Sequence, residues 1–399
     1  MRPIPQAAGL YLAVLQLVFA LGWTTYAIYL PKLAASVGLS AGAVIVMLML
    51  DQAIFTVTDF AMGVAADKVS RLVGRLGHWV AAITLVSCLA FVGLPFVGGA
   101  GLGPTALLVL TVIWAVTSSA LRAPPLMLLG KYAARPAIPY LASLVMLGFG
   151  IAGALAPYLT RVLTQRDPRL PFVIASVVLV LTSCVLVKVE RTLAKQSVPN
   201  SEPPKTIDRA IPAPVAMFAL AMIILALGFQ LHLFFNTAPL FKQFTSDVGT
   251  LTPVFWVGFS VGMFPASLVA KRWGGVPVMG VAGLLGAAAI VLMESSTVLG
   301  LTVAAQFVVG AAWGCILMSA FAAAAALGST GHEGKTTGLL FSALALATLA
   351  RMAVSAGGVL ADPALAPLLR WGPIVCWAIA GALLVALSIA SVARVRKFS

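Results

Sequence analysis

Asp59-Phe60-Ala61-Met62-Gly63-Val64-Ala65-Ala66-Asp67-Lys68-Val69-Ser70-Arg71-Leu72-Val73-Gly74-Arg75 is the stretch on which the reading of this chain turns. It closes a long apolar run, makes a short basic turn and hands the chain to another apolar run. Gly63 carries no side chain, so a neighbouring helix can approach it closely in lipid. Asp67 and Arg71 stand four apart, the spacing at which a carboxylate and a guanidinium on one helix can pair. Lys68, Arg71 and Arg75 are the kind of charges that hold a turn on the cytoplasmic side of a membrane.

The rest of the chain agrees with a membrane setting. Of its 399 residues 61% are hydrophobic and 9% charged, against about a quarter charged in soluble domains. So much apolar surface cannot be hidden in one water-soluble core, and the chain belongs in a bilayer. A spanning helix takes about 20 apolar residues. Such runs lie at 8–32, 41–66, 77–99, 105–130, 136–161 and 171–189, then at 213–240, 249–270, 276–296, 298–327, 334–360 and 369–393. Between the two sets, Glu190–Pro212 is polar and carries Pro199, Pro203, Pro204 and Pro212. Such a stretch reads as a linker. The expected organisation is an all-α membrane protein with a six-helix bundle over 1–190, a cytoplasmic linker over 191–212 and a second six-helix bundle over 213–399.

Charge gives the orientation. With both termini inside, the inner segments hold 17 of the 25 Lys and Arg residues and the outer segments 6 (Lys32, Arg161, Arg166, Arg169, Lys242 and Arg370), leaving Arg122 and Arg351 within helices. This asymmetry follows the positive-inside rule, and a missed or extra span would invert half the loops. The net charge of +14 is therefore loop charge, and no basic stripe with interleaved aromatics suggests nucleic acid. Cys88, Cys184, Cys315 and Cys376 sit singly in apolar runs, which reads as packing and not as a disulfide framework or metal site. The first apolar run exceeds signal-peptide length without a convincing cleavage site, so it is expected to stay as the first helix.

The halves repeat. Phe19-Ala20-Leu21-Gly22-Trp23 aligns with Leu225-Ala226-Leu227-Gly228-Phe229 at a shift of 206, which sets Tyr26 against His232. Ala270-Lys271-Arg272-Trp273-Gly274 follows helix 8 as a copy of the 59–75 loop without its Asp. Gly63, Asp67, Lys68, Gly74 and Arg75 resemble the signature loop between helices 2 and 3 of the major facilitator superfamily, with a variant spacing to Gly74. The resemblance covers the whole chain. It implies twelve helices in two pseudo-symmetric bundles that rock about a central site, mostly working as monomers. It also implies that Asp67 meets the amino-terminal end of helix 11, where a helix dipole favours a carboxylate. Gly63, Asp67, Arg71 and Arg75 would then form a conformational latch.

Ionisable groups inside membrane helices are costly and are functional candidates by default. Arg122 precedes Pro124-Pro125 in helix 4, and Arg351 lies in helix 11. One Arg from each half could clamp an anion through forked hydrogen bonds, or each could pair with an acid or with carbonyls. Asp51 and Asp59 stand eight apart on helix 2, roughly on one face. Either can pair with a helix 4 arginine, or take up and release a proton as coupling requires. The Asp59, Gly63, Asp67 ladder also resembles helix 2 of the cation-coupled sugar symporters. Those carry Asn-Asp-Pro where this chain has Thr58-Asp59-Phe60, and a second acid where it has Phe55, which argues against a sodium site. Tyr26, Gln230, His232 and Asn236 are polar groups on helices 1 and 7, which line the cavity in that superfamily. Gly148-Phe149-Gly150-Ile151-Ala152-Gly153 and Pro157 in helix 5 resemble part of the glycine-proline motif of proton-driven drug antiporters, without its full Gly-Pro pair, and read more strongly as close helix packing through small residues.

Enzyme signatures come to nothing. Gly258-Phe259-Ser260-Val261-Gly262 fits a nucleophile elbow but lies within a helix. Gly334-Lys335-Thr336 ends like a phosphate-binding loop, but Ser329 holds the place of its first glycine and no strand precedes it. No cofactor or metal is called for. The expected protein is a secondary transporter of the bacterial-type inner membrane, moving a small organic anion with protons or another ion. The rivals are a proton-driven exporter of lipophilic or cationic compounds and a receptor that binds without transporting.

Overall fold

The structure is a computed structural model that describes residues 6–72, 76–133, 135–196, 213–328, 331–359 and 362–398. Arg75 lies outside these residues, and so does the side chain of Arg71. Among the described residues twelve helices are long and apolar enough to span a membrane. They are α1 (Gln6–Ser36), α2 (Ala41–Ser70), α3 (Leu76–Phe96), α4 (Gly103–Tyr132), α5 (Ile138–Leu163), α6 (Arg169–Lys195), α7 (Val215–Lys242), α8 (Val248–Trp273), α9 (Gly275–Ser295), α10 (Leu299–Leu327), α11 (Glu333–Ala356) and α12 (Ala366–Ile389). Their outer surface keeps large apolar side chains exposed, such as Val57, Leu89, Leu181, Leu268 and Ile389. On a soluble protein this surface would drive association; around twelve spans it is the lipid belt.

Among the described residues two helices are broken in mid-span, each where the sequence gives a reason. In α4 a 3-10 turn over Ser119–Leu121 precedes Arg122, and Pro124 and Pro125 begin the next α-helical segment. Pro125 has no N–H to give the Leu121 carbonyl four residues back. The amide of Gln16 in α1 supplies it instead, donating from Nε2 at 3.0 Å. In α7 the turn His232–Asn236 is π-helical. The extra residue leaves backbone to be satisfied locally, and Thr237 Oγ1 donates to the His232 carbonyl at 3.0 Å.

In the first bundle α1 packs on α5 and α6, and α3 on α4 and α6; in the second, α10 packs on α8 and α9, and α12 on α7 and α9. Most contact between the bundles runs along two seams, α2 against α11 and α5 against α8. The α2/α11 seam is tight because it is built from glycine. A Cβ on Gly63 would overlap the Gly334 carbonyl, and one on Gly338 would run into the Asp59 carbonyl. The glycines of α5 serve the same end. The space beside Gly148 holds the α1 backbone at Ala13, and that beside Gly153 holds the Trp256 ring of α8.

The polar segment after α6 differs from the expectation at its start. The helix continues to Gln196, and Glu190 is buried. Its two carboxylate oxygens accept from the N–H groups of Leu76 and Gly77, at 2.9 and 2.6 Å. Glu190 therefore caps the first turn of α3 from a neighbouring helix and closes two of its orphan donors. Residues 191–196 are helical, and the remainder of the expected linker, 197–212, lies outside the described residues.

Candidate functional site

The candidate residues fall into four groups at different depths. In the last turn of α2, Asp67 is buried and accepts two backbone hydrogen bonds at the start of α11, from Gly334 at 2.7 Å and Lys335 at 2.8 Å. A carboxylate on the first N–H groups of a helix meets the positive end of its dipole. The phosphate-loop-like Gly334-Lys335 pair is thus occupied by a side chain of the chain itself. Beside it the Lys131 ammonium donates to Ser70 Oγ.

About two turns further into α2 lies Asp59, fully buried, with Arg122 Nη1 at 3.2 Å from its Oδ2. The break in α4 puts the Arg122 backbone at φ −90°, ψ −75° and lets its guanidinium sit between the rings of Phe55 and Phe341, 4.6 and 5.2 Å from their centroids. Of Asp51 and Asp59, the latter is therefore the one Arg122 engages. Thr58 and Ser119 share a hydrogen bond of 2.7 Å alongside.

Asp51 has a different partner. It is fully buried, and its Oδ2 accepts from the Tyr26 hydroxyl at 2.8 Å while Oδ1 has no hydrogen-bond partner. Tyr26 itself is fully buried, with its ring 4.4 Å from Trp114 and 5.5 Å from Trp23 between centroids. It reaches Asp51 from within the aromatic packing of the first bundle.

In the second bundle His232 is fully buried and gives its Nε2 proton to Gln306 Oε1 at 2.8 Å, because an amide oxygen can only accept. Gln306 passes a bond of 3.3 Å to Thr237 Oγ1. Asn236 points the other way and donates to the Arg370 carbonyl at 3.0 Å. Gln230 is the member that meets a charge. Its Oε1 accepts from Arg351 Nε at 3.2 Å, and its Nε2 donates to Thr348 Oγ1 at 2.9 Å. Arg351 is half-buried, lies 4.3 Å above the Phe234 ring, and has no carboxylate within ion-pair distance among the described residues.

The two arginines do not converge in this conformation. Arg122 touches Phe341, and Arg351 follows ten residues later on the same helix, about 15 Å along its axis at 1.5 Å per residue. The two guanidinium groups share no partner among the described residues. Sequence reasoning also missed Gln16, Glu190, Thr348 and Gln306. Gln16 and Gln306 had a usable signal, since a lone amide in an apolar span calls for a partner.

This is a two-bundle membrane fold with polar groups buried in both bundles and a carboxylate tying one to the other. A family model described as Major Facilitator Superfamily matches residues 12–350; the chain belongs to that superfamily and is a transporter. No individual curated protein matches its sequence. Among solved structures it is similar to a bacterial homologue of the iron transporter ferroportin in an outward-facing state, with TM-score 0.74, 14% identity, and 96% of this chain and 99% of that one covered. The human organic anion transporter MFSD10 gives TM-score 0.70 at 15% identity over 97% and 99%. The proton:xylose symporter XylE gives 0.64 at 13% over 96% and 94%. At such identities these likenesses concern the fold.

Proposed function

We propose that the chain is an alternating-access secondary transporter that moves a small organic anion coupled to protons. Arg351 carries the reading. A half-buried guanidinium with one nitrogen fixed by Gln230, and no carboxylate within ion-pair distance among the described residues, keeps forked donors for an anion. Asp51 and Asp59 are the coupling residues in this reading, because membrane carboxylates held by one tyrosine and one arginine can exchange a proton as their surroundings change. Gly63 and Asp67, with Arg71 and Arg75 beyond them, form the latch. The charge asymmetry of the loops supports an inner-membrane protein with both termini in the cytoplasm, and membership of the superfamily supports a monomer.

A second reading rests on the aromatic groups. Trp23 stacks on Trp114 and Phe229 on Trp313, and Trp256 closes edge-on to Phe229. Such surfaces suit lipophilic cations, with Asp51 as the exchanged charge, and would make the protein an exporter.

Thermal stability of the purified protein against small carboxylates, phosphates, sugars and lipophilic cations separates the two, since a ligand of the folded state raises Tm by mass action. Carboxylates should stabilise the parent and not Arg351→Ala, and uptake into proteoliposomes should fall with binding. Uptake unchanged in Arg351→Ala overturns the anion reading. Stabilisation by cations alone, dependent on Asp51, selects the exporter.

A further inference from the structure

The second copy of the signature loop has a role open to it that the first copy cannot fill. At the α2/α11 seam Asp67 supplies the negative charge. At the pseudo-symmetric α5/α8 seam the corresponding turn, Lys271-Arg272-Trp273-Gly274, supplies only cations. Gly274 turns it sharply, at φ +86°, so that α9 starts at once and the side chains are presented at the membrane boundary. Lys271 and Arg272 are exposed, and no carboxylate lies within ion-pair distance of either among the described residues. Trp273 is 66% exposed, unusual for an indole in water and ordinary at a membrane interface.

These three residues edge a groove of about 1340 Å³. That exceeds the roughly 300–1,000 Å³ of a drug-sized pocket. Its walls come from both bundles, with Ile138 and Pro139 at the start of α5 facing Val276, Ala326 and Leu387 of α9, α10 and α12. Ile138 packs with Ala322 and Ala325 of α10 beneath it. The walls are apolar and the mouth is cationic. A soluble anion would match the mouth and not the walls, and an apolar solute would match the walls and not the mouth.

We propose that this groove binds one anionic phospholipid from the leaflet on the α2–α3 side. Its phosphate lies between Lys271 and Arg272, and its acyl chains lie along the α5, α10 and α12 walls. Because the walls belong to both bundles, the lipid closes the α5/α8 seam with the negative charge that this turn lacks, as Asp67 does at the other seam. Lipid binding then favours the conformation in which that seam is shut.

The test uses the full chain in phosphatidylcholine nanodiscs with and without phosphatidylglycerol, reading Tm and the lipid retained in native mass spectra. Phosphatidylglycerol should raise the parent's Tm and remain bound. At about 1 kcal/mol per interfacial cation, Lys271→Gln with Arg272→Gln should weaken retention about 30-fold, while Lys188→Gln, a cation elsewhere on that side, should leave it unchanged. Ala326→Trp fills the groove without touching a charge and should abolish retention, which keeps the test decisive if the double variant folds poorly. Full retention in both groove variants overturns the proposal. So does an equal rise in Tm from inorganic phosphate in phosphatidylcholine discs, which would make this a free-anion site. A dimer that Ala326→Trp dissociates would assign the groove to a second copy of the chain and overturn it as well.

Discussion

The two bundles repeat one backbone plan and fill it with different chemistry. At the pseudo-equivalent positions, Tyr26 donates to a carboxylate, Asp51, and His232 donates to an amide, Gln306. The ring stacks correspond too, Trp23 on Trp114 in one bundle and Phe229 on Trp313 in the other. Yet beside these rings the first bundle buries Asp51, Asp59 and the pairing cation Arg122, whereas the second buries the neutral His232, Gln306, Asn236 and Thr237 and leaves Arg351 half-exposed. Aromatic packing fixes the shared frame and tolerates the substitution of charge for neutrality. On the function proposed above, the difference separates work that needs a titrating group from work that needs a steady donor.

The largest test of this contrast breaks the Asp59–Arg122 pair. Asp59→Asn leaves a guanidinium that is only 14% exposed without its counter-charge, and removing one partner of a buried pair costs about 3–5 kcal/mol. Thermal unfolding in detergent should show a large fall in Tm, with much of it recovered by adding Arg122→Gln. The matching change in the second bundle should cost less. His232→Leu leaves the Gln306 oxygen without its donor, a neutral loss of about 1–3 kcal/mol. If His232→Leu destabilised as much as Asp59→Asn, the division into charged and neutral cores would fail.

A smaller effect is expected at the seam. Asp67→Asn keeps one acceptor for the Gly334 and Lys335 N–H groups and loses the charge facing the helix dipole, worth about 1–2 kcal/mol. That is a shift of about tenfold in the balance of conformations, readable as cysteine accessibility from the two membrane sides, with little change in Tm. No shift in accessibility would remove Asp67 from the latch.

What could be read beforehand follows from the range of each interaction. Span number and the glycine at the seam were legible, because length, apolarity and the absence of a side chain are properties of single residues. Asp67 was placed at α11 only through a family resemblance. Pairings between distant helices were not legible. Arg122 had two candidate carboxylates eight residues apart, and the break in α4 decided for Asp59. Glu190 looked like the opening of a linker, since nothing near it in sequence shows that the N–H groups of Leu76 and Gly77 need an acceptor. Arg122 and Arg351 were each sound candidates, but the axial distance between them follows from packing that no local pattern encodes.

The smallest structural effect is the most informative about coupling. Asp51→Asn offers the Tyr26 hydroxyl an amide oxygen in place of a carboxylate oxygen, which is the arrangement His232 and Gln306 already hold in the second bundle. The hydrogen bond persists, so Tm should move by the equivalent of less than about 1 kcal/mol. What disappears is the group that can bind and release a proton. Uptake driven by an imposed pH gradient in proteoliposomes should therefore be lost, while exchange of labelled for unlabelled substrate, which needs no net proton movement, should continue. If gradient-driven uptake survives, the charge at Asp51 is as dispensable as its absence at Gln306, and coupling falls to Asp59 and Arg122. If exchange is lost as well, Asp51 holds substrate, and the separation of titrating work from binding work between the bundles is wrong.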